Sequence, residues 1–174
     1  EAISLGADEA VLLSDTAFAG ADTWATAYTL AAAVKKLGAI DLVICGRQST
    51  DGDTAQVGPE MAEMLNVPFV AYVGLIEEVS EGSFKLRRLT DEGHEVIQSP
   101  LPALITVTKE INVPRLPSLR GIMKSKSAKI PTWTAADLEV SADKVGLSGS
   151  FTRVVKIFTP RREKKAEMLQ GDTE

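Results

Sequence analysis

Short apolar runs and helical stripes alternate through the first half of the chain. Leu5-Gly6-Ala7-Asp8-Glu9-Ala10-Val11-Leu12-Leu13 is echoed by Leu37-Gly38-Ala39-Ile40-Asp41-Leu42-Val43-Ile44-Cys45. Each reads as a helix end, a glycine cap and a continuous apolar strand. Runs without polar alternation belong to strands buried on both faces of a parallel sheet. Between them Trp24, Ala27, Tyr28, Ala31, Val34 and Leu37 recur at spacings of three and four, which predicts a helix capped by Asp22. Lys35 and Lys36 suit its last turn and Gly38 its end. Strand, helix, strand in this order predicts a right-handed βαβ step.

A further step follows. Residues 53–65 read as a loop and a helix starting near Val57 or Gly58, with Pro59 tolerated in the first turn. Phe69 to Leu75 reads as the next strand. Phe84 to Thr90 and Glu95 to Gln98 alternate like half-exposed strands around a hairpin turn, Asp91-Glu92-Gly93-His94. Ala103 to Val107 is a buried strand. Residues 112–129 carry proline, glycine and lysine with little periodicity and read as a long surface loop. A short helix at 135–138 and a strand from Thr152 to Phe158 complete the prediction. The expected architecture is one α/β domain over residues 1–160, with a mostly parallel sheet and an added antiparallel hairpin. Residues 161–174, rich in charge, are expected to begin a C-terminal arm.

Glu1-Ala2-Ile3-Ser4-Leu5-Gly6 has the character of a last helical turn, so the chain is expected to be a fragment of something longer. Its 174 residues are enough to bury a core, and 44% apolar with 25% charged residues is globular composition. No apolar stretch is long enough for a membrane helix. One cysteine, Cys45, and one histidine, His94, give neither a disulfide framework nor the usual zinc sites. A net charge of −5 argues against general nucleic-acid binding.

Ligands of open parallel sheets bind beyond the carboxyl ends of the strands. The strand Leu42 to Cys45 delivers Gly46-Arg47-Gln48-Ser49-Thr50-Asp51-Gly52-Asp53-Thr54-Ala55-Gln56-Val57-Gly58-Pro59, the most polar and glycine-marked strand-to-helix loop in the chain. Gly46, Gly52 and Gly58 are expected to adopt backbone conformations closed to other residues and to let a ligand approach closely. Ser49, Thr50, Asp51, Thr54 and Gln56 offer hydrogen bonds, the following helix start offers free N–H groups, and Arg47 offers a fork for phosphate. Neither a P-loop nor a Gly-x-Gly-x-x-Gly fingerprint is present. The residues are compatible with a phosphate-containing nucleotide site. They are equally compatible with a capped, solvated loop in which Asp51 and Asp53 serve as turn and N-cap residues.

The run from Gly46 to Pro59 strongly resembles the nucleotide-binding segment of the electron transfer flavoprotein β subunit. Leu101-Pro102-Ala103-Leu104-Ile105-Thr106-Val107 looks like that family's late core strand. Pro114-Arg115-Leu116-Pro117-Ser118-Leu119-Arg120-Gly121-Ile122-Met123-Lys124-Ser125-Lys126 looks like its recognition loop. The resemblance implies an adenine-nucleotide α-hydrolase-like, Rossmann-like three-layer fold. It implies pairing with an α subunit that carries an electron-transferring FAD, and a second nucleotide, FAD or AMP, held by Gly46, Arg47, Gln48, Ser49, Thr50, Asp51, Gly52, Asp53, Thr54, Ala55, Gln56 and Val57. Gly52, Ala55 and Pro59 resemble the electron-bifurcating branch, which binds FAD here and oxidises NADH. The family's first strand and other nucleotide-contacting loops would lie upstream of Glu1.

By the same resemblance, Leu119 is the leucine that anchors a partner such as an acyl-CoA dehydrogenase, with Arg120, Lys124 and Lys126 steering the encounter. Ferredoxin or flavodoxin would be the low-potential acceptor. The implied location is the cytoplasm, or the mitochondrial matrix in a eukaryote. A flavin performs the redox step itself, so no protein acid, base or nucleophile is expected. A non-redox nucleotide sensor or adenylating domain is the remaining alternative, although no Ser-Gly-Gly pyrophosphate loop is present. Cys45 is expected to be a small buried hydrophobe, His94 solvated, Trp24 and Tyr28 core or subunit contacts, Trp133 packed under the last strand or against the partner. The Arg161–Lys165 run reads as a solvated face or an interface.

Overall fold

The computed structural model describes residues 1–159. In chain order the elements are α1 (Ala2–Leu5), β1 (Leu12–Leu13), α2 (Thr23–Leu37), β2 (Leu42–Gly46), α3 (Val57–Leu65), β3 (Phe69–Ser80), β4 (Ser83–Thr90), β5 (Gly93–Pro100), β6 (Ala103–Val107), α4 (Leu119–Ser127) and β7 (Thr132–Trp133). The main sheet has the order β2-β6-β3-β4-β5. β2, β6 and β3 run parallel, with Leu42 opposite Ala103 and Phe69 opposite Leu104. β4 and β5 extend this sheet antiparallel through tight connections. The fold is therefore mixed α/β with a parallel core and an antiparallel addition.

Local chemistry explains the helices. Asp22 caps α2 by accepting from the Ala25 N–H at 3.0 Å, and its other oxygen accepts from the Thr152 N–H at 2.9 Å. Burial tends to raise the Asp22 pKa, but these amide donors outweigh it and hold the carboxyl below the usual carboxylate range. α3 ends on Asn66 at φ 56°, a left-handed cap that asparagine tolerates. Helices α2 and α3 pack together on one face of the sheet, where Ala27, Met61, Ala62 and Leu104 form a buried cluster. The alanines of α2 (Ala25, Ala27, Ala31 and Ala33) are buried and allow this close approach. On the other face the bent β3 brings Phe84 and Leu86 of β4 against Val70, Val73, Ala103 and Ile105. Register shifts near Val73 and Ile76 produce that bend.

Several expectations are corrected. β1 does not lie beside β2; it forms a separate two-stranded parallel sheet with β7, so the first βαβ step does not close within the main sheet. Nor are the apolar runs at 11–13 and 42–45 buried on both faces: β2 is an edge strand, and Leu12 and Ile44 are both more than half exposed. Residues 119–127 are helical rather than loop. Ser118 caps α4 by accepting from the Gly121 N–H at 3.0 Å, and the helix rests on α1, a contact that sequence periodicity does not reveal. Residues 135–138 form turns rather than a helix, held by Thr134 and Asp137. The stretch 152–158 is exposed and forms no strand, because it finds no sheet edge among the described residues. His94 belongs to β5 opposite Leu89, not to the turn, and is exposed. The C-terminal arm expected over 161–174, with its Arg161–Lys165 run, lies outside the described residues.

Candidate functional site

The loop between β2 and α3 leaves the carboxyl end of the parallel strands and borders a cleft of about 440 Å³. Gly46, Arg47, Gln48, Ser49, Thr54, Ala55, Gln56 and Val57 line it. Thr50, Asp51, Gly52 and Asp53 do not; they form the exposed turn at the loop's tip. That tip is internally bonded. The Asp53 N–H donates to the Ser49 carbonyl at 3.1 Å, and the Gly52 N–H donates to Asp51 Oδ1 at 2.8 Å. The Ser49 hydroxyl, then the Gly52 amide, hold the Asp51 carboxyl below the usual range. Gln48 Nε2 donates to Asp53 Oδ1, and Arg47 Nε donates to Gln48 Oε1 at 3.0 Å, so one chain of contacts links the fork, the amide and the carboxylate.

The expectation for the three glycines needs correction. Within the loop the left-handed conformations fall on Asp53 (φ 52°) and Ala55 (φ 55°), not on Gly46, Gly52 or Gly58. Aspartate tolerates this region; for alanine it costs roughly 1–2 kcal/mol. Strain of this kind persists where surrounding structure holds it, and it is concentrated at ligand clamps. The glycines serve space instead. A Cβ on Gly58 would overlap the Thr106 methyl, so glycine lets α3 approach β6. A Cβ on Gly46 would meet nothing within 4 Å, so no neighbour in the fold demands glycine there and the space opens to the cleft. Asp53 is not the N-cap of α3. That position is Gln56, which makes no side-chain cap, leaving the first-turn amides without that partner.

Other residues complete the surroundings. Leu30 of α2 and Cys45, Gly58 and Met61 also line the cleft. Burial pushes the Cys45 thiol up, as suits a small apolar wall residue. The Thr23 hydroxyl bridges the start of α2 to Gln56 Oε1 at 3.4 Å and Glu60 Oε1 at 3.2 Å. Burial raises the Glu60 pKa, the Thr23 hydroxyl opposes it and the Asp22 charge adds to it. Across the cleft wall the Arg47 guanidinium lies 4.9 Å from the centre of the Tyr72 ring. Tyr72 itself is left-handed, at φ 59°, and its N–H donates to Thr106 Oγ1 at 3.1 Å. None of Thr23, Glu60 or Tyr72 carries a sequence signal that points to this loop; only the packing does.

Leu119, Arg120, Lys124 and Lys126 share α4, on a different part of the molecule. Leu119 opens the helix and is 76% exposed. Arg120 and Lys126 are exposed, while Lys124 Nζ donates to the Ala7 carbonyl at 3.3 Å. A Cβ on Gly121 would overlap the Ser4 carbonyl, so this helix is seated directly on α1. Trp24 is 39% exposed and meets Phe151 edge-on at 5.7 Å, and Trp133 carries Lys36 above its ring at 5.2 Å.

A strained loop and an open cleft beyond the carboxyl edge of three parallel strands place this chain among the open-sheet α/β domains. The chain belongs to the electron transfer flavoprotein family, whose Electron transfer flavoprotein domain matches residues 1–138. It is 47% identical over 173 residues to an electron transfer flavoprotein subunit beta of Thermoanaerobacterium thermosaccharolyticum, covering 99% of this chain and 66% of that protein. It is 46% identical over 173 residues to the caffeyl-CoA reductase-Etf complex subunit CarD of Acetobacterium woodii, covering 99% and 66%. An acryloyl-CoA reductase electron transfer subunit gamma of Anaerotignum propionicum is 41% identical over 178 residues, covering 98% and 66%. The chain thus spans just under two thirds of the length of these curated relatives. Among the described residues no helix is long and apolar enough to cross a membrane.

Proposed function

We propose that this chain forms the nucleotide-holding part of an electron transfer flavoprotein β subunit, and that the nucleotide is FAD. Paired with an α subunit, the whole protein passes electrons from NADH to an acyl-CoA dehydrogenase or similar flavoenzyme and to a low-potential acceptor such as ferredoxin or flavodoxin, in the cytoplasm. The observation that carries the reading is the cleft at Gly46, where a glycine that the fold does not require faces open space beside the strained loop. The residues fit an adenylate. Loop amides and the start of α3 suit phosphate, Arg47 offers a charged fork, and Ser49, Thr54 and Gln56 suit ribose hydroxyls. The flavin supplies the redox chemistry when bound. The chain's part is to hold it, to wall it with Leu30, Cys45 and Met61, and to keep the loop rigid through the contacts of Gln48 with Asp53.

FAD is favoured over AMP by the Gly52, Ala55 and Pro59 pattern and by the kinship with subunits named for caffeyl-CoA and acryloyl-CoA reductase complexes. The family placement works against a non-redox sensor. Nucleotide content of the purified heterodimer tests the reading. Two flavins per pair support it, one flavin with one AMP support the AMP-holding β subunit, and an empty β site removes both. Asp53→Ala is expected to lower nucleotide retention by freeing Gln48 and the loop tip. Unchanged content would remove the role given to that contact.

A further inference from the structure

The first turn of α2 is gripped from two sides. On one side it holds the stretch 146–152. The Asp22 N–H donates to Ser150 Oγ at 2.8 Å, and Asp22 Oδ2 accepts from the Thr152 N–H at 2.9 Å and from the Thr152 hydroxyl at 3.2 Å. Ser150 Oγ in turn donates to the Gly146 carbonyl at 2.7 Å, and Phe151 meets the Trp24 ring edge-on. On the other side the Thr23 hydroxyl reaches Gln56, which lines the loop cleft, and Glu60. Glu60 Oε2 is buried without a partner among the described residues, so the bond to Thr23 is the one its side chain has there. The stretch has the build of a strap. Val145 is buried at its root, and Gly146, at φ 56°, lies so close to the Ala17 carbonyl that a Cβ would overlap it. Past the root the hold is polar, and Phe151, Val154, Val155, Ile157 and Phe158 are exposed. A segment with few buried apolar contacts opens at low free energy while its root stays in place.

We propose that this strap is a latch on the nucleotide loop: seated on Asp22, it fixes the first turn of α2 against Gln56 and Glu60 and slows release of the nucleotide, and lifted, it frees them. The inference rests on the proposed reading of the loop and adds its regulation. The chain of causes is short. Asp22 and Thr23 are neighbours in one turn, so a seat lost at Asp22 loosens the hydroxyl of Thr23. That takes from the Glu60 carboxyl its one side-chain bond among the described residues, and it frees Gln56 at the start of α3. Coupling of this kind is reciprocal. A bound nucleotide holds the strap down by the same factor by which the strap holds the nucleotide.

The test uses the full-length β subunit in complex with its α subunit, with the β-site nucleotide, FAD or AMP, as purified. Asp22→Asn keeps an oxygen for the Ala25 N–H, since asparagine caps a helix as well as aspartate does, but removes the carboxylate to which Thr152 donates. Ser150→Ala removes the other half of the seat, and Thr23→Val cuts the link while leaving the seat. Each is expected to speed nucleotide loss about fivefold. Amide hydrogen exchange at 150–152 is expected to rise in the two seat variants and to keep the wild-type rate in Thr23→Val, with exchange in β3 and β6 unchanged in all three. Asp22→Asn combined with Thr23→Val is expected to lose nucleotide no faster than either alone. Emptying the β site should raise exchange at 150–152 in wild type and not in Thr23→Val. Exchange at 150–152 unmoved in the seat variants, a loosened strap with unchanged nucleotide loss, additive losses in the double variant, or exchange raised across the whole sheet would each overturn the inference and leave the loop reading standing. Wild type whose β site holds neither FAD nor AMP sinks the loop reading, and the latch with it.

Discussion

Gly58 and Thr106 touch so closely that no side chain fits between them: a Cβ on the glycine would overlap the threonine methyl. This contact sets the distance between α3 and β6, and so the position of the first turn from which the loop hangs. Thr106 also accepts from the Tyr72 N–H, which ties the same residue to the strained bend of β3. One threonine therefore joins the helix start on one side to the bend of β3 on the other.

Gly58→Ala is expected to destabilise the fold by about 1–3 kcal/mol, the usual cost of overpacking a tight core. Because α3 must move, nucleotide retention is expected to fall with it. Thermal unfolding and nucleotide content measured on the same preparation check this. A variant with normal melting and a full β site would show that the contact is slack.

Glu60 gives a prediction with a definite sign. Its folded pKa is raised chiefly by burial, so the charged form costs stability above that pKa, and the cost disappears as the pH falls through it. Glu60→Gln keeps an acceptor for the Thr23 hydroxyl and removes the charge. The variant is expected to unfold at a higher temperature than wild type at neutral pH. The gap should close on acidification through the carboxylate range. A gap that is constant with pH, or of opposite sign, would contradict the assignment; melting curves at a series of pH values decide it.

Leu119 projects from the first turn of a helix seated on α1 and is largely exposed, so it contributes little to folding. If it anchors a partner flavoenzyme, Leu119→Ala should slow electron delivery to an acyl-CoA dehydrogenase by roughly tenfold or more, as truncating an interface hot spot does. Flavin content and melting temperature should stay within error of wild type. Stopped-flow reduction of the dehydrogenase by the complex is the measurement, and an unaltered rate removes the anchor.

The elements differ in how legible they were. The stripe from Trp24 to Leu37, with Asp22 before it and Gly38 after it, carries its own cap, period and stop, and α2 follows that pattern. The hairpin of β4 and β5 is equally local. Helix α4 does carry a local signal, Ser118 before Leu119, Ile122 and Met123, but Pro114, Pro117 and Gly121 read as loop, and its seat on Ser4 of α1 is far away in the chain. The strand expected at 152–158 had the right composition but no edge to join among the described residues.

For the site, the amino-acid order alone located the polar loop after β2, because an apolar strand, a polar turn and a helix start are each readable over a few residues. It also carried the likeness of residues 46–59 to a known nucleotide segment. Only the tertiary structure decided that β1 leaves the main sheet for β7, that Asp53 and Ala55 rather than the glycines take the left-handed bends, and that Arg47 meets Tyr72. Strand pairing and the Arg47–Tyr72 contact join segments distant in sequence, and the bends of the loop depend on which of its own side chains bond each other; periodicity reports neither.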